Sequence, residues 1–169
     1  MKNIILTGFM GTGKTTVGKL LAKQLDYDFI DTDALIEAQA GCSIPTIFQQ
    51  QGETAFRQME RNAAHALSQR EGLVISTGGG MMLNSINVTA LSQTGHIFCL
   101  VATPEEILSR LQQDTAHPRP LLDVPNPSKR LVEILEQRKA GYGRFPQILT
   151  TGKSPDDVAS DLLALIRPV

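Results

Sequence analysis

Gly8-Phe9-Met10-Gly11-Thr12-Gly13-Lys14-Thr15 is the stretch best equipped for chemistry. Two glycines separated by four residues, then Lys and Thr, make the pattern that cradles a polyphosphate. Glycines let the backbone turn sharply and bring its N–H groups up to phosphate oxygens. A following helix N-terminus adds free donors and a favourable dipole. Lys14 supplies a mobile positive charge for the outer phosphates. Thr15 supplies a hydroxyl to Mg²⁺, which prefers hard oxygen ligands. The alternative is an ordinary glycine-rich turn between a strand and a helix. The context favours the phosphate: Asn3 to Thr7 reads as a buried strand, and Lys14 to Leu25 as a helix with Val17, Leu20, Leu21 and Leu25 at helical spacing.

Five other places in the chain carry reactive types. Asp31-Thr32-Asp33 puts two acids around a helix start. Capping accounts for one of them. A second beside a phosphate loop suits work on Mg²⁺ or on a proton. Arg57 stands three residues before Glu60, a spacing that permits a surface ion pair worth little, or an arginine aimed at an acidic substrate. Gly78-Gly79-Gly80 after a buried strand is either a flexible turn or a row of exposed N–H groups. Arg119 lies between two prolines, as a solvated loop residue or as a lid arginine that closes over phosphate. Arg138 sits near a helix end, where it can simply favour the dipole. His65, His96 and His117 form no metal pattern.

The elements that must position these residues alternate. Strands are expected at Asn3–Thr7, Asp28–Asp31, Leu73–Ser76, His96–Val101 and Gln147–Thr150. Helices are expected at 14–25, 34–40, 43–51, 53–69, 83–93, from Thr103 to about Gln113, from a Ser128 cap to about Ala140, and at Pro155–Ile166 behind a Ser154 cap. Asp114 to Pro127, with four prolines, reads as a long irregular loop of the kind that forms lids. Five strands alternating with helices predict an α/β fold, a five-stranded parallel sheet flanked by helices. Ligands of such sheets sit beyond the carboxyl ends of the strands. Three of the clusters fall there.

Composition narrows the partners. The 169 residues favour one domain with a sizeable core. A net charge of -1 gives no support to nucleic acid or a membrane surface. Cys42 and Cys99 have no metal-ligand spacing and suggest no disulfide framework, which points to a reducing compartment. With no leader pattern and no stretch of membrane-spanning length, a cytoplasmic protein is expected.

Together these residues resemble the shikimate kinase family over essentially the whole chain. The likeness rests on G-F-M-G-T-G-K-T-T at Gly8 to Thr16, D-T-D at Asp31 to Asp33, G-E-T-A-F-R-Q-M-E at Gly52 to Glu60, T-G-G-G at Thr77 to Gly80 and R-P-L-L at Arg119 to Leu122. The resemblance implies a P-loop fold like that of nucleoside monophosphate kinases. It implies ATP and Mg²⁺ as cofactors, and phosphorylation of the 3-hydroxyl of shikimate on the way to chorismate and the aromatic amino acids. It also implies a monomer, with a substrate-binding segment at about 32–60 and a lid at about 112–125.

Residue by residue, the resemblance places Gly11, Thr12, Gly13, Lys14, Thr15, Thr16, Arg110, Arg119 and Pro155 on the nucleotide. It places Thr15 and Asp31 by the metal, and Asp33, Arg57, Gly79, Gly80 and Arg138 on shikimate. Lys14, Asp33 and Arg119 carry the catalysis. Met81-Met82 are bulkier than the resemblance leads one to expect and read as core packing. Gln112 to His117 leaves nucleotide preference open. Two rivals stand beside this reading: another kinase of small acids, such as a gluconate kinase, and a nucleotide-binding switch without transfer activity.

Overall fold

The computed structural model describes residues 2–116 and 123–166. Arg119 and its R-P-L-L motif lie outside the described residues, so the irregular loop is described only at its two ends. In chain order the elements are β1 (Asn3–Thr7), α1 (Lys14–Leu25), β2 (Asp28–Asp31), α2 (Thr32–Ala40), α3 (Ile44–Leu67) and β3 (Leu73–Ser76). A 3-10 turn at Met81–Leu83 follows, then α4 (Ser85–Ser92), β4 (Gly95–Val101), α5 (Pro104–Gln113), α6 (Pro127–Tyr142), β5 (Gln147–Leu149) and α7 (Pro155–Ile166).

The strands form one five-stranded sheet in the order β2-β3-β1-β4-β5, and every pairing is parallel. β1 is central, and all its residues are buried. That is why Ile4, Ile5 and Leu6 run on apolar rather than alternating. Side chains still alternate between faces. Ile5, Ile75 and Cys99 join a core with Ile36 of α2, Ile47, Phe56 and Ala63 of α3, Leu91 of α4, Ile107 and Leu111 of α5, and Leu131 of α6. Ile4, Leu6, Val74, Phe98 and Leu100 join Val17, Leu21 and Ala22 of α1 and Val158, Ala159 and Leu162 of α7 in the other.

Local chemistry explains where the element bounds differ from expectation. The helices expected at 43–51 and 53–69 form one span broken at Gly52, whose φ of 84° and ψ of 171° only glycine adopts readily. The helix expected from Leu83 starts later. The Asn84 side chain accepts from the Ile86 N–H and caps α4, while Met81 to Leu83 coil tightly and bury both methionines fully. The Met81-Met82 pair is therefore core. Asn126, not Ser128, caps α6: its side chain accepts from the Lys129 N–H, and Pro127 takes the first helical position.

A parallel sheet puts all carboxyl ends on one edge, and the order β2-β3-β1 makes three of them neighbours. Ser76 pairs with both Leu6 and Asp31. Past the strand ends the backbone stays tied: Thr77 N–H donates to the Leu6 carbonyl at 3.0 Å, and Gly78 N–H donates to Thr32 Oγ1 at 3.0 Å. The phosphate-loop, acidic and triple-glycine segments therefore leave the sheet side by side.

Candidate active site

The loop after β1 has the build its sequence requires. Gly8 has φ 129°, and a Cβ there would overlap the Leu100 carbonyl oxygen of β4. Gly13, left-handed at φ 95°, precedes α1, and no side chain caps that helix. The first-turn N–H groups of Lys14, Thr15 and Thr16 are thus left to an anion. Gly11 and Thr12 complete the bend, with Thr12 buried and its hydroxyl donating to the Phe9 carbonyl at 2.7 Å. Lys14 folds over the loop and donates to the Gly8 and Phe9 carbonyls at 2.8 and 2.9 Å. Burial pulls its ammonium pKa down to about 8, against the raising effect of Asp33 and Asp31.

Asp31 does two jobs. One carboxylate oxygen caps α2, accepting from Asp33 N–H at 3.0 Å and Ala34 N–H at 3.1 Å. The other accepts the Thr15 hydroxyl at 3.3 Å. Capping therefore leaves one oxygen facing the loop. Hydroxyl and carboxylate side by side form a hard-oxygen pair that fits a single Mg²⁺, an ion usually held by one or two protein oxygens plus phosphates and water. Among the described residues no group of three His, Cys, Asp or Glu could hold a metal on its own. Asp33, in the first turn of α2, is pushed up to about 6 by burial first, then by the charges of Asp31 and Glu60, with Lys14 opposing. It is a carboxyl poised near neutrality.

Each glycine of the triple run faces one polar side chain. A Cβ on Gly78 would lie 2.5 Å from Asp33 Oδ1; on Gly79, 3.1 Å from Arg138 Nη1; on Gly80, 2.9 Å from Arg57 Nη1. The absence of side chains is what lets an acid and two guanidiniums close on one turn. Arg57 donates to Glu60 at 2.8 Å and more loosely to Glu53 at 3.4 Å. Glu60 is buried, at 2 % exposure. The surface pair expected from the spacing is thus a half-buried one, because this face of α3 turns toward the sheet edge. Arg138 lies over the Phe9 ring at 5.5 Å and donates to the Tyr142 hydroxyl at 3.3 Å. It reaches the glycine turn, with Nη1 3.1 Å from where a Gly79 Cβ would lie.

Arg110 stands on the other side of the loop. It donates to the Gly11 carbonyl, to Thr150 Oγ1 and to the Thr150 carbonyl, each at 3.1 Å, and pairs with Glu106 at 2.5 Å. Glu106 also accepts from Gly152 N–H at 3.2 Å. Pro155 opens α7 just beyond that turn. Cys99 sits buried under the loop, its thiol pushed up to about 11 by burial, and carries no chemistry.

Tyr142 and Glu106 escaped the reading of the sequence, and so did the burial of Glu60. Tyr142 has a signal there, four residues after Arg138 and so on the same helix face. Glu60 has only its spacing, and burial decides its weight. Glu106 lies four residues before Arg110 in a first turn where an acid reads as a dipole partner.

A family model described as shikimate kinase matches residues 10–167. The shikimate kinase of Caldanaerobacter subterraneus is 46% identical over 165 residues, covering 96% of this chain and 95% of that one. The solved structure of the Acinetobacter baumannii shikimate kinase in complex with shikimate superposes with a TM-score of 0.89 at 39% identity, covering 98% of this chain and 93% of that one. A Sinorhizobium meliloti gluconokinase is similar in fold alone, with a TM-score of 0.63 and 19% identity over 96% of this chain and 90% of that one. The chain belongs to the shikimate kinase family.

Proposed function

We propose that this chain transfers the γ-phosphoryl group of ATP to the 3-hydroxyl of shikimate, giving shikimate 3-phosphate and ADP. The observation that carries this reading is the convergence of Asp33, Arg57 and Arg138 on the Gly78–Gly80 turn, next to the phosphate loop, in a chain of this family. Shikimate is a small ring with one carboxylate and several hydroxyls. Two guanidiniums suit the carboxylate, which they bind through paired N–H donors. The N–H groups of Gly79 and Gly80 lie beside them.

Asp33 accepts the proton of the attacking hydroxyl. The hydroxyl oxygen bonds to the γ-phosphorus as the bond to the ADP oxygen breaks, and the transfer is in line. Most of the gain is positioning and charge neutralisation. Lys14 exchanges the Gly8 and Phe9 carbonyls for phosphate oxygens. The loop N–H groups from Gly11 to Thr16 cradle the phosphates, and Arg110 and Pro155 flank the nucleotide. Thr15 and Asp31 would hold a Mg²⁺ ion, which neutralises the phosphates and orients them. Arg119, from the family likeness alone, closes from a lid at about 112–125 and excludes water.

The chain is read as one domain and a cytoplasmic monomer. No described helix is long and apolar enough to cross a membrane. Among the described residues the exposed large apolar side chains, Phe48, Ile86, Val132, Leu149 and Leu165, are spread over separate elements. The test is coupled ADP release with MgATP and a panel of acids. Turnover of shikimate is expected. Turnover of gluconate but not shikimate would end the reading, and ATP binding without any phosphorylated acid would favour a switch.

A further inference from the structure

We infer that Tyr142 is the positioning residue that aims Arg138 at the carboxylate of the acid. The inference rests on the reading of Arg138 as half of a carboxylate clamp. Tyr142 closes α6, and its side chain is 6 % exposed. Its hydroxyl donates to the Gly79 carbonyl at 2.5 Å. A phenol has one proton, so toward Arg138 the same oxygen can only accept, and Arg138 Nη1 donates to it at 3.3 Å. One oxygen therefore ties the cation to the glycine turn.

The tie is itself anchored. Gln147, the first residue of β5, donates from its side chain to the Tyr142 backbone carbonyl at 2.8 Å. The sheet thus holds Tyr142, and Tyr142 holds both Gly79 and the guanidinium. Among the described residues Arg138 also lies over the face of the Phe9 ring, 5.5 Å away, and feels the charge of Glu60. A ring face sets the plane of a guanidinium loosely and leaves its in-plane rotation free. The hydroxyl fixes that rotation, and rotation decides whether two N–H groups point together at a carboxylate. Burial, the largest influence, raises the phenol's pKa, so it stays protonated and keeps donating to Gly79 throughout the working pH range.

The experiment is steady-state kinetics of Tyr142→Phe, which keeps the ring and removes only the oxygen. With shikimate, KM for the acid should rise about tenfold, the usual cost of losing one hydrogen bond to a charged group. KM for MgATP should stay near wild type, and the melting temperature should fall only by several degrees, for the Gly79 carbonyl that loses its donor. The methyl ester of shikimate has no carboxylate charge, so the variant and wild type should handle it alike. An unchanged KM for shikimate overturns the inference. So does an equal loss with the ester, or a parallel loss in both substrates, which marks a merely structural role. KM does not depend on the fraction of protein that folds, so partial misfolding leaves the answer intact. Wild type that does not turn over shikimate overturns the functional reading and this inference together. Wild type that does, with Tyr142→Phe unchanged, overturns only the role of Tyr142.

Discussion

Arg57 sits 2.8 Å from the carboxylate of Glu60, a side chain that is 2 % exposed. The pair is lopsided, because Arg57 itself is 33 % exposed. Burial raises the Glu60 pKa, and Arg57 is the main group holding it down. Arg57 therefore has two partners to serve: the buried carboxylate beneath it and, in the proposed complex, the carboxylate of the acid. Glu60 fixes the arginine through Nη1, while Nε and Nη2 meet the exposed Glu53 only loosely, at 3.4 Å, a contact the acid can displace.

That arrangement makes Arg57→Ala a double lesion. KM for shikimate should rise by more than about tenfold while KM for MgATP changes little. The fold should also lose about 1–3 kcal/mol, less than for a fully buried pair because solvent screens the arginine. Arg57→Lys separates the two effects. A lysine keeps a charge near Glu60 and should recover most of the melting temperature, but it lacks the paired donors and should not recover acid affinity. Equal losses for acid and nucleotide in Arg57→Ala would contradict the assignment.

Asp33 and Lys14 set the pH dependence. Asp33 works as a base only when ionised, so kcat/KM for the acid should climb as pH rises through about 6. Lys14 binds phosphate only when charged, so activity should fall as pH rises through about 8. A bell between those limits is expected, and a flat profile from pH 5 to 9 would remove both groups from the rate. Stability runs the other way. A carboxyl whose pKa is raised on folding opposes folding when ionised; that cost is present above about pH 6 and relieved as pH falls toward its ordinary 3.8. Asp33→Asn should therefore melt higher than wild type at pH 8, with the gap closing toward pH 4, while losing about 10²–10⁴ in turnover.

The triple glycine offers a cleaner dissection, because each Cβ would strike a different group. Gly80 has φ -96°, which any residue adopts. A methyl there meets the Arg57 guanidinium first, at 2.9 and 3.1 Å, the far end of a flexible side chain. Gly80→Ala should raise KM for shikimate with a smaller drop in melting temperature than Arg57→Ala. Gly78→Ala presses on Asp33 Oδ1 and should lower kcat instead. Identical kinetic signatures for the two would show that the turn acts as a unit.

Much of this scaffold was legible beforehand, for definite reasons. Ile4 to Leu6 is an unbroken apolar run because the central strand is covered on both faces, and Lys14 to Leu25 announces itself by spacing. The break at Gly52 was visible because one glycine parts two apolar stripes. The strand order was not, since an apolar run does not name its neighbours. Nor was the depth of Glu60, which spacing places beside Arg57 and only packing buries. Asp31 and Asp33 could be noticed as a pair, but their division of labour depends on which oxygen caps α2. Arg138 illustrates the limit: its partners Phe9, Gly79 and Tyr142 come from three segments, and only Tyr142 is local.

The nucleotide side has its own brace, and it predicts the opposite kinetic split. Arg110 ties the Gly11 carbonyl to the Thr150 turn, and Glu106 grips both Arg110 and the Gly152 N–H. Arg110→Ala removes the bridge between the phosphate loop and the segment that leads to Pro155. KM for ATP should rise about tenfold, with KM for shikimate nearly unchanged. Glu106→Gln keeps the shape but weakens the charge that orients Arg110, so it should show the same selectivity in milder form. Measuring both constants in both variants checks the assignment. A loss confined to shikimate would mean that Arg110 braces the loop for the acid rather than for the nucleotide.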